Sequence, residues 1–394
     1  MMHYRRFGRT ELQMPVFSCG GMRYQQDWKD TDFSNILPEN QKRLVSCIER
    51  SLAVGINHIE TARGYGSSEV QLGQILPQFD RDKLIVQTKV APAEEADFLK
   101  TFETSMDRLK LEHVDLLSFH GINNRALLDL TLRKGGALEV GRRLQKEGRV
   151  RFLGFSTHGA CDVITEAVET GEFDYVNLHW YWINQVNWPA IEAATRHDMG
   201  VFIISPNDKG GKLYEPSEKL RKLCEPYSPM IFNDLFCLLR PQVHTLSLGV
   251  AKPEDFDEHL KALELWHDAE KIVAEVGGRL EEELRGSLGF DWIARWQEGL
   301  PAWEDVPGEV NVWEILRLWN YAKALDMIEF GKMRYNLLGN GDHWFPGRNA
   351  ANLDVAAISR AVKGSPFAER IPGVLAEAHE LLWDKPVERL SKSD

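Results

Sequence analysis

The sequence predicts an α/β protein of the (β/α)8, or TIM, barrel class, with an N-terminal hairpin and a C-terminal all-helical extension. Three observations carry that prediction. Between residues 16 and 263, eight short apolar, β-branched runs alternate with helical patterns, the order expected of a parallel barrel. No G-x-G-x-x-G follows the first run, so the competing doubly wound sheet lacks its phosphate-binding turn. Beyond residue 265 the strand pattern ceases and Trp-rich helical periodicity takes over.

Taken in order, residues 4–15 read as a hairpin turning at Gly8-Arg9-Thr10. The strands are expected at 16–20, 56–61, 84–89, 114–119, 150–156, 175–179, 201–205 and 245–249. Helices follow near 40–54, 68–78, 95–111, 136–148, 160–171, 188–198, 229–239 and 253–263. Gly148 and Gly171 sit just past two of the periodic runs, and Pro253 marks the start of the last helix. Ser67 or Ser68 is expected to cap the helix after Gly64-Tyr65-Gly66. In the extension, helices are expected near 266–285, 290–298, 312–328 and 373–383. The segment 334–347 reads as an aromatic loop, and Ser391–Asp394 as a frayed end. These readings divide the chain at about residue 265, with 1–265 as barrel and 266–394 as extension.

Composition narrows the function. A net charge of −12 disfavours nonspecific binding to nucleic acid or an anionic membrane, and no apolar run is long enough to span a bilayer. The five cysteines (Cys19, Cys47, Cys161, Cys224 and Cys237) are scattered and form no C-x-x-C pair, as expected of reduced thiols in a cytoplasmic protein. His58 and His158 have no clustered second ligand, so no metal site is expected.

Four polar residues fall at or just beyond the carboxyl ends of strands two, three and four: Glu60, Tyr65, Lys89 and His120. Strand ends of a barrel meet at one mouth, where active sites form. An ammonium beside a phenol favours the phenolate, a carboxylate holds the ammonium, and an imidazole orients a carbonyl or relays a proton. In this pattern Tyr65 is the candidate proton donor.

The stretch Gly55-x-Asn57-x-Ile59-Glu60-Thr61-Ala62-x-x-Tyr65-Gly66-x-Ser68-Glu69-x-x-Leu72-Gly73 resembles the signature of the aldo-keto reductases, (β/α)8 enzymes that use NADPH. Tyr65, Lys89 and His120 match the family's catalytic residues, and Glu60 replaces the family's Asp. The resemblance covers roughly residues 3–263. It implies that Gly20, Gly21 and Met22 pass close to the cofactor and that Ser156 and Asn177 hold its carboxamide. It further implies that Ser205, Pro206 and Lys209, in the loop to Gly211, follow its diphosphate. Gly249 and Lys252 would meet an adenosine 2′-phosphate, and Glu258 the adenine. NADPH is the expected cofactor; Asp255, an acid unfavourable beside that phosphate position, keeps NADH as the alternative.

The extension resembles a family branch that carries an iron–sulfur segment. The ligand positions of that segment fall here on Trp296, Gly299, Ala302 and Val306, and no Cys follows Cys237. The extension therefore reads as a ferredoxin-like relic without a cluster. The resemblance implies an NADP-dependent reductase of small aldehydes or ketones. A barrel that binds NADP(H) as a sensor or regulatory subunit is the alternative.

Overall fold

The structure is a computed structural model, described here for residues 1–387; the frayed end expected at Ser391–Asp394 lies outside the described residues. Strands β1 (Tyr4–Arg6) and β2 (Gln13–Pro15) pair antiparallel, Tyr4 opposite Pro15, and a 3-10 turn at Gly8–Thr10 joins them. Eight parallel strands follow: β3 (Phe17–Gly20), β4 (His58–Glu60), β5 (Ile85–Val90), β6 (Val114–His120), β7 (Val150–Ser156), β8 (Tyr175–Leu178), β9 (Gly200–Ile203) and β10 (Thr245–Gly249). They close in sequence order, with β10 pairing both β3 and β9. This is the barrel expected from the alternation.

The barrel strands are buried over most of their length, which explains why they read as apolar runs and not as strict alternation. Helices Pro38–Ala53, Glu95–Leu109, Ala137–Lys146, Cys161–Glu169, Trp188–Arg196 and Asp255–Glu264 stand where periodicity places them. Gly148 and Gly171 have φ of +74° and +73°, the left-handed turn that ends a helix and that glycine adopts without strain. The helix expected over 68–78 is shorter: it spans Ser68–Leu72, and a separate 3-10 turn, Leu76–Gln78, carries Pro77. Ser67 does not cap it. Its hydroxyl instead donates to Gln71 and accepts from the Gln26 and Asp27 amides. The sequence reading missed helices Arg125–Leu132 and Glu218–Cys224, each too short for its periodicity to stand out.

The hairpin fills the end of the barrel opposite the strand tips. Phe7, Leu12 and Met14 pack with Ile85, Leu116, Tyr175 and Phe202, and the Phe7 ring lies 5.8 Å from that of Tyr175.

Two compact units divide the chain. One comprises Met1–Gly210 with Asn233–Ala269, and the other comprises Gly211–Phe232 with residues 270–387. This division falls between Ala269 and Glu270, beside the boundary expected at about 265, and Gly211–Phe232 groups with the second unit. Polar bonds show why: Ser217 donates to the Leu325 carbonyl at 2.7 Å, Arg279 to the Leu223 and Glu225 carbonyls at 2.8 Å each, and Lys219 pairs with Glu283 at 2.8 Å.

Within this second unit, helices Ala269–Leu288, Phe290–Arg295, Val312–Leu325, Ile328–Tyr335, Val355–Ala361 and Ile371–Leu382 form the core. The single helix expected over 312–328 ends at Leu325, where Asp326 takes a left-handed conformation. Trp292 is buried and donates its indole N–H to Asn320 at 2.7 Å. Trp296 and Val306, at two of the cysteine positions of the resembled motif, are buried apolar residues, and the Trp296 ring lies 5.8 Å from that of Trp313.

Removing the Phe7 ring leaves a cavity under the barrel floor. Phe7→Ala is expected to lower stability by about 3–5 kcal/mol, read as a reduced urea midpoint with an unchanged slope.

Candidate active site

Strand register brings the site together. Gly20 pairs with Glu60, Glu60 with Gln87, His120 with Ser156, and Ser156 with Asn177. The carboxyl tips of β3 to β8 thus stand side by side around one mouth. The Glu60 carboxylate contacts the Lys89 ammonium directly, and both side chains are almost wholly buried. The arginine nearest Glu60 along the chain is Arg63. Arg63 instead binds Glu69 and Asp30 at 2.6 Å each. Ser247 on β10, which the sequence reading did not single out, donates to the second Glu60 oxygen at 3.4 Å.

Lys89 Nζ lies 3.0 Å from the Thr61 carbonyl and 3.1 Å from the Tyr65 hydroxyl. The ring of His120 stands edge-on to that of Tyr65, with centroids 5.7 Å apart. Glu60, Tyr65, Lys89 and His120 therefore converge. Trp28 is a further neighbour, its ring at 6.3 Å and nearly perpendicular to Tyr65; it lies in a segment that no strand or helix signal marked.

The loop that carries Tyr65 is fixed by buried polar bonds. The Tyr65 amide donates to the Ala62 carbonyl and the Arg63 amide to the Lys89 carbonyl. Glu69, fully buried, accepts from Thr88 at 2.6 Å as well as from Arg63. Gly66 has φ +52°, and a Cβ there would meet the Asp27 carbonyl at 1.9 Å. The Gly, Ser and Glu positions around Tyr65 thus act by holding its backbone in place.

The electrostatics differ from the sequence expectation. Burial pushes the Tyr65 phenol above its ordinary range and the Lys89 ammonium well below its own, because each charged form would lose hydration. The expected lowering of the Tyr65 pKa by Lys89 is outweighed by this loss, and the phenol stays protonated at neutral pH.

The residues expected at a cofactor lie in the same unit. At Gly21 a Cβ would meet the Glu60 carbonyl at 2.6 Å and the Ser68 hydroxyl at 2.9 Å, so only glycine keeps this backbone against the site; Met22 beside it is half-buried. Ser156 accepts from the Gly121 amide at 3.2 Å. Asn177 is fully buried, and both its amide nitrogen and its oxygen lack a hydrogen-bond partner among the described residues. An unsatisfied buried amide is costly, and a ligand offering one donor and one acceptor would satisfy it.

After β9, Ser205 is left-handed at φ +53°, and the Pro206 carbonyl accepts from Asn233 at 3.1 Å. Lys209 directs its ammonium to His158 and His179. Gly249 ends β10 opposite Gly20. Lys252 is exposed and Glu258 half-buried, and Glu258 accepts from Lys261 at 2.7 Å. Asp255 accepts from the Ala251 and Lys252 amides at 2.8 and 3.1 Å. Those two donors, at the place where the resemblance puts a phosphate, are already engaged by a carboxylate. Elsewhere, an open concavity of 690 Å³ is lined by residues such as Glu103, Lys110, His113 and Arg149. It adjoins the amino-terminal ends of β6 and β7, the face opposite the chemistry-bearing tips.

Residues 17–222 match the Aldo/keto reductase family, and the chain belongs to that family, a family of oxidoreductases. Among individual relatives, a probable aldo-keto reductase of Glycine max is 24% identical over 187 residues, 44% of this chain and 52% of that protein. The chain thus spans about half the length of this curated relative. An uncharacterized oxidoreductase of Bacillus subtilis is 22% identical over 321 residues, 72% of this chain and 98% of that one. A Klebsiella pneumoniae aldo-keto reductase, crystallised in complex with NADPH, aligns with a TM-score of 0.55 at 17% identity, covering 67% of this chain and 90% of that chain. At that identity the likeness shows the fold.

Removing one partner of the buried pair isolates the other charge. Glu60→Ala is expected to cost about 3–5 kcal/mol of stability, and Glu60→Gln with Lys89→Met distinctly less, both measured by chemical denaturation.

Proposed function

We propose that the protein is an NADPH-dependent reductase of an aldehyde or ketone. The observation that carries the reading is the placement of the Tyr65 hydroxyl, 3.1 Å from Lys89 Nζ and beside His120, at the mouth of the barrel. Asn177 fits the cofactor's carboxamide, since its orphaned amide offers a donor and an acceptor, with Ser156 as its neighbour on β7. Gly21 and Met22 give the cofactor a flat approach along β3. The backbone of Ser205, Pro206 and Lys209 lies along its diphosphate, with Gly249, Lys252 and Glu258 toward the adenosine end. When bound, the cofactor supplies a hydride to the carbonyl carbon.

The chain's own residues manage the proton. His120 orients the carbonyl oxygen toward Tyr65. As negative charge develops on that oxygen, the Tyr65 O–H gives up its proton to it. The Lys89 ammonium stabilises the phenolate left behind. Glu60 holds Lys89 in place and opposes the burial that disfavours its charge, its extra methylene accommodated by direct contact and by the Ser247 hydrogen bond. A phenol held protonated by burial suits the reducing direction, which consumes the proton. The extension beyond residue 265, in which no Cys occurs, is read as a helical module without a cluster.

Tyr65→Phe tests the reading. Aldehyde reduction is expected to fall by about 10²–10⁴-fold, with NADPH affinity nearly unchanged. Undiminished turnover would remove Tyr65 from the acid role, and NADPH binding without consumption of any carbonyl would favour the sensor. Because burial raises the Tyr65 pKa, reduction should stay flat between about pH 6 and 9, while alcohol oxidation, which needs the phenolate, should rise throughout; rate profiles in both directions check this. Freeing the Ala251 and Lys252 amides by Asp255→Ser should tighten NADPH more than NADH, measured as the ratio of the two dissociation constants.

A further inference from the structure

Three basic side chains, none of them assigned to proton transfer, meet at the same mouth. His158 lies two residues beyond Ser156 at the end of β7, His179 directly follows β8, and Lys209 is in the loop after β9. Lys209 Nζ is 3.1 Å from His158 Nε2 and 3.3 Å from His179 Nε2, and the two imidazole centroids are 4.5 Å apart. His179 is nearly buried, while His158 and Lys209 are half-buried.

Hydrogen bonding sets the protonation pattern. The Tyr181 hydroxyl donates to the Ile204 carbonyl at 2.7 Å, so it accepts from His179 Nδ1 at 2.5 Å. That places the His179 proton on Nδ1 and turns the Nε2 lone pair toward Lys209. Asn187 donates to the His179 carbonyl at 2.9 Å and anchors the same backbone. A lysine that only solubilised the loop would extend into water; this one is drawn onto two imidazoles. The two rings accept from Lys209 and hold its ammonium in place, so an arriving anion meets a positioned cationic donor rather than a solvated one.

The cluster sits beside Ser156 and Asn177, on the β7–β9 side of the mouth. Glu60, Tyr65, Lys89 and His120 hold the β4–β6 side. A molecule with its carbonyl at Tyr65 and an anionic group at its far end spans the two.

We propose that Lys209, His158 and His179 form a subsite for a negatively charged group, carboxylate or phosphate monoester, carried by the carbonyl substrate. The proposal rests on the reductase reading for the word substrate, and on the cluster alone for the binding of an anion.

Two measurements separate these. In the first, the full chain with NADPH is given short aldehydes of matched length ending in a carboxylate, a phosphate or an uncharged methyl ester. The anion that fits should be favoured over the ester in kcat/KM by about ten- to a hundredfold, the worth of a hydrogen bond to a charged group. Lys209→Met and His158→Gln should each bring that ratio toward one. In the second, imidazole resonances of His158 and His179 are followed by NMR on the chain saturated with NADP+, so that the diphosphate proposed beside Lys209 is already in place, as butyrate, propyl phosphate or butyramide is added. A saturable shift with butyrate or propyl phosphate, absent with butyramide and lost in Lys209→Met, is expected, and the active probe tells carboxylate from phosphate. No shift with either anion overturns the proposal. A shift accompanied by equal turnover of charged and ester aldehydes overturns the substrate assignment. A shift with no turnover of any aldehyde upholds the anion site and sinks the reductase reading instead.

Discussion

The contact between Glu60 and Lys89 is the constraint around which the site is built. A carboxylate and an ammonium lie almost wholly out of water at the tips of adjacent strands. Either ion alone would cost several kcal/mol there, so the two must stay together. Barrel closure is what holds them. β4 pairs with β5 on one side and β3 on the other, and β10 returns to β3 with Ser247 aimed at the same carboxylate. Lys89 is then left with the Thr61 carbonyl and the Tyr65 hydroxyl as its other near neighbours. The position of the phenol follows from the position of the ion pair.

A second, separate network keeps Tyr65 in reach. Arg63 and Thr88 both donate to Glu69, and Ser67 and Gln71 tie the far side of the loop to the segment around Gln26 and Asp27. Side chains that never face the mouth therefore fix the one that does. The same division recurs after β9. There His259, bound to Asp234 at 2.5 Å, meets the Asn207 side chain at 3.0 Å beneath the loop proposed to follow the diphosphate.

Much of this was legible before the coordinates. Eight β-branched runs gave eight strands, because buried parallel strands need continuous apolar residues and nothing else in the chain mimics them. The convergence of Glu60, Tyr65, Lys89 and His120 is legible because polar residues at apolar strand ends stand out. What escaped depended on distance in space. Ser247 on Glu60, Trp28 against Tyr65, and Lys209 between His158 and His179 join residues dozens to nearly two hundred positions apart, with no periodic signal. Gly211–Phe232 looked like barrel loop because its ties to Glu283 and Leu325 lie far along the chain. The Tyr65 pKa was misjudged for a related reason: a neighbouring charge can be read from strand ends, whereas the depth of burial cannot.

Asn177 holds one further lesson. Its amide is enclosed with neither end satisfied among the described residues, and an amide group left unpaired in such a place costs about 1–3 kcal/mol. A molecule that supplies both missing contacts offsets that cost in addition to its own interactions. Occupancy and melting temperature should therefore be coupled, and the loaded barrel should resist proteolysis for longer than the empty one. The residue that looks least stable in isolation is the one through which a ligand would do most to harden the fold.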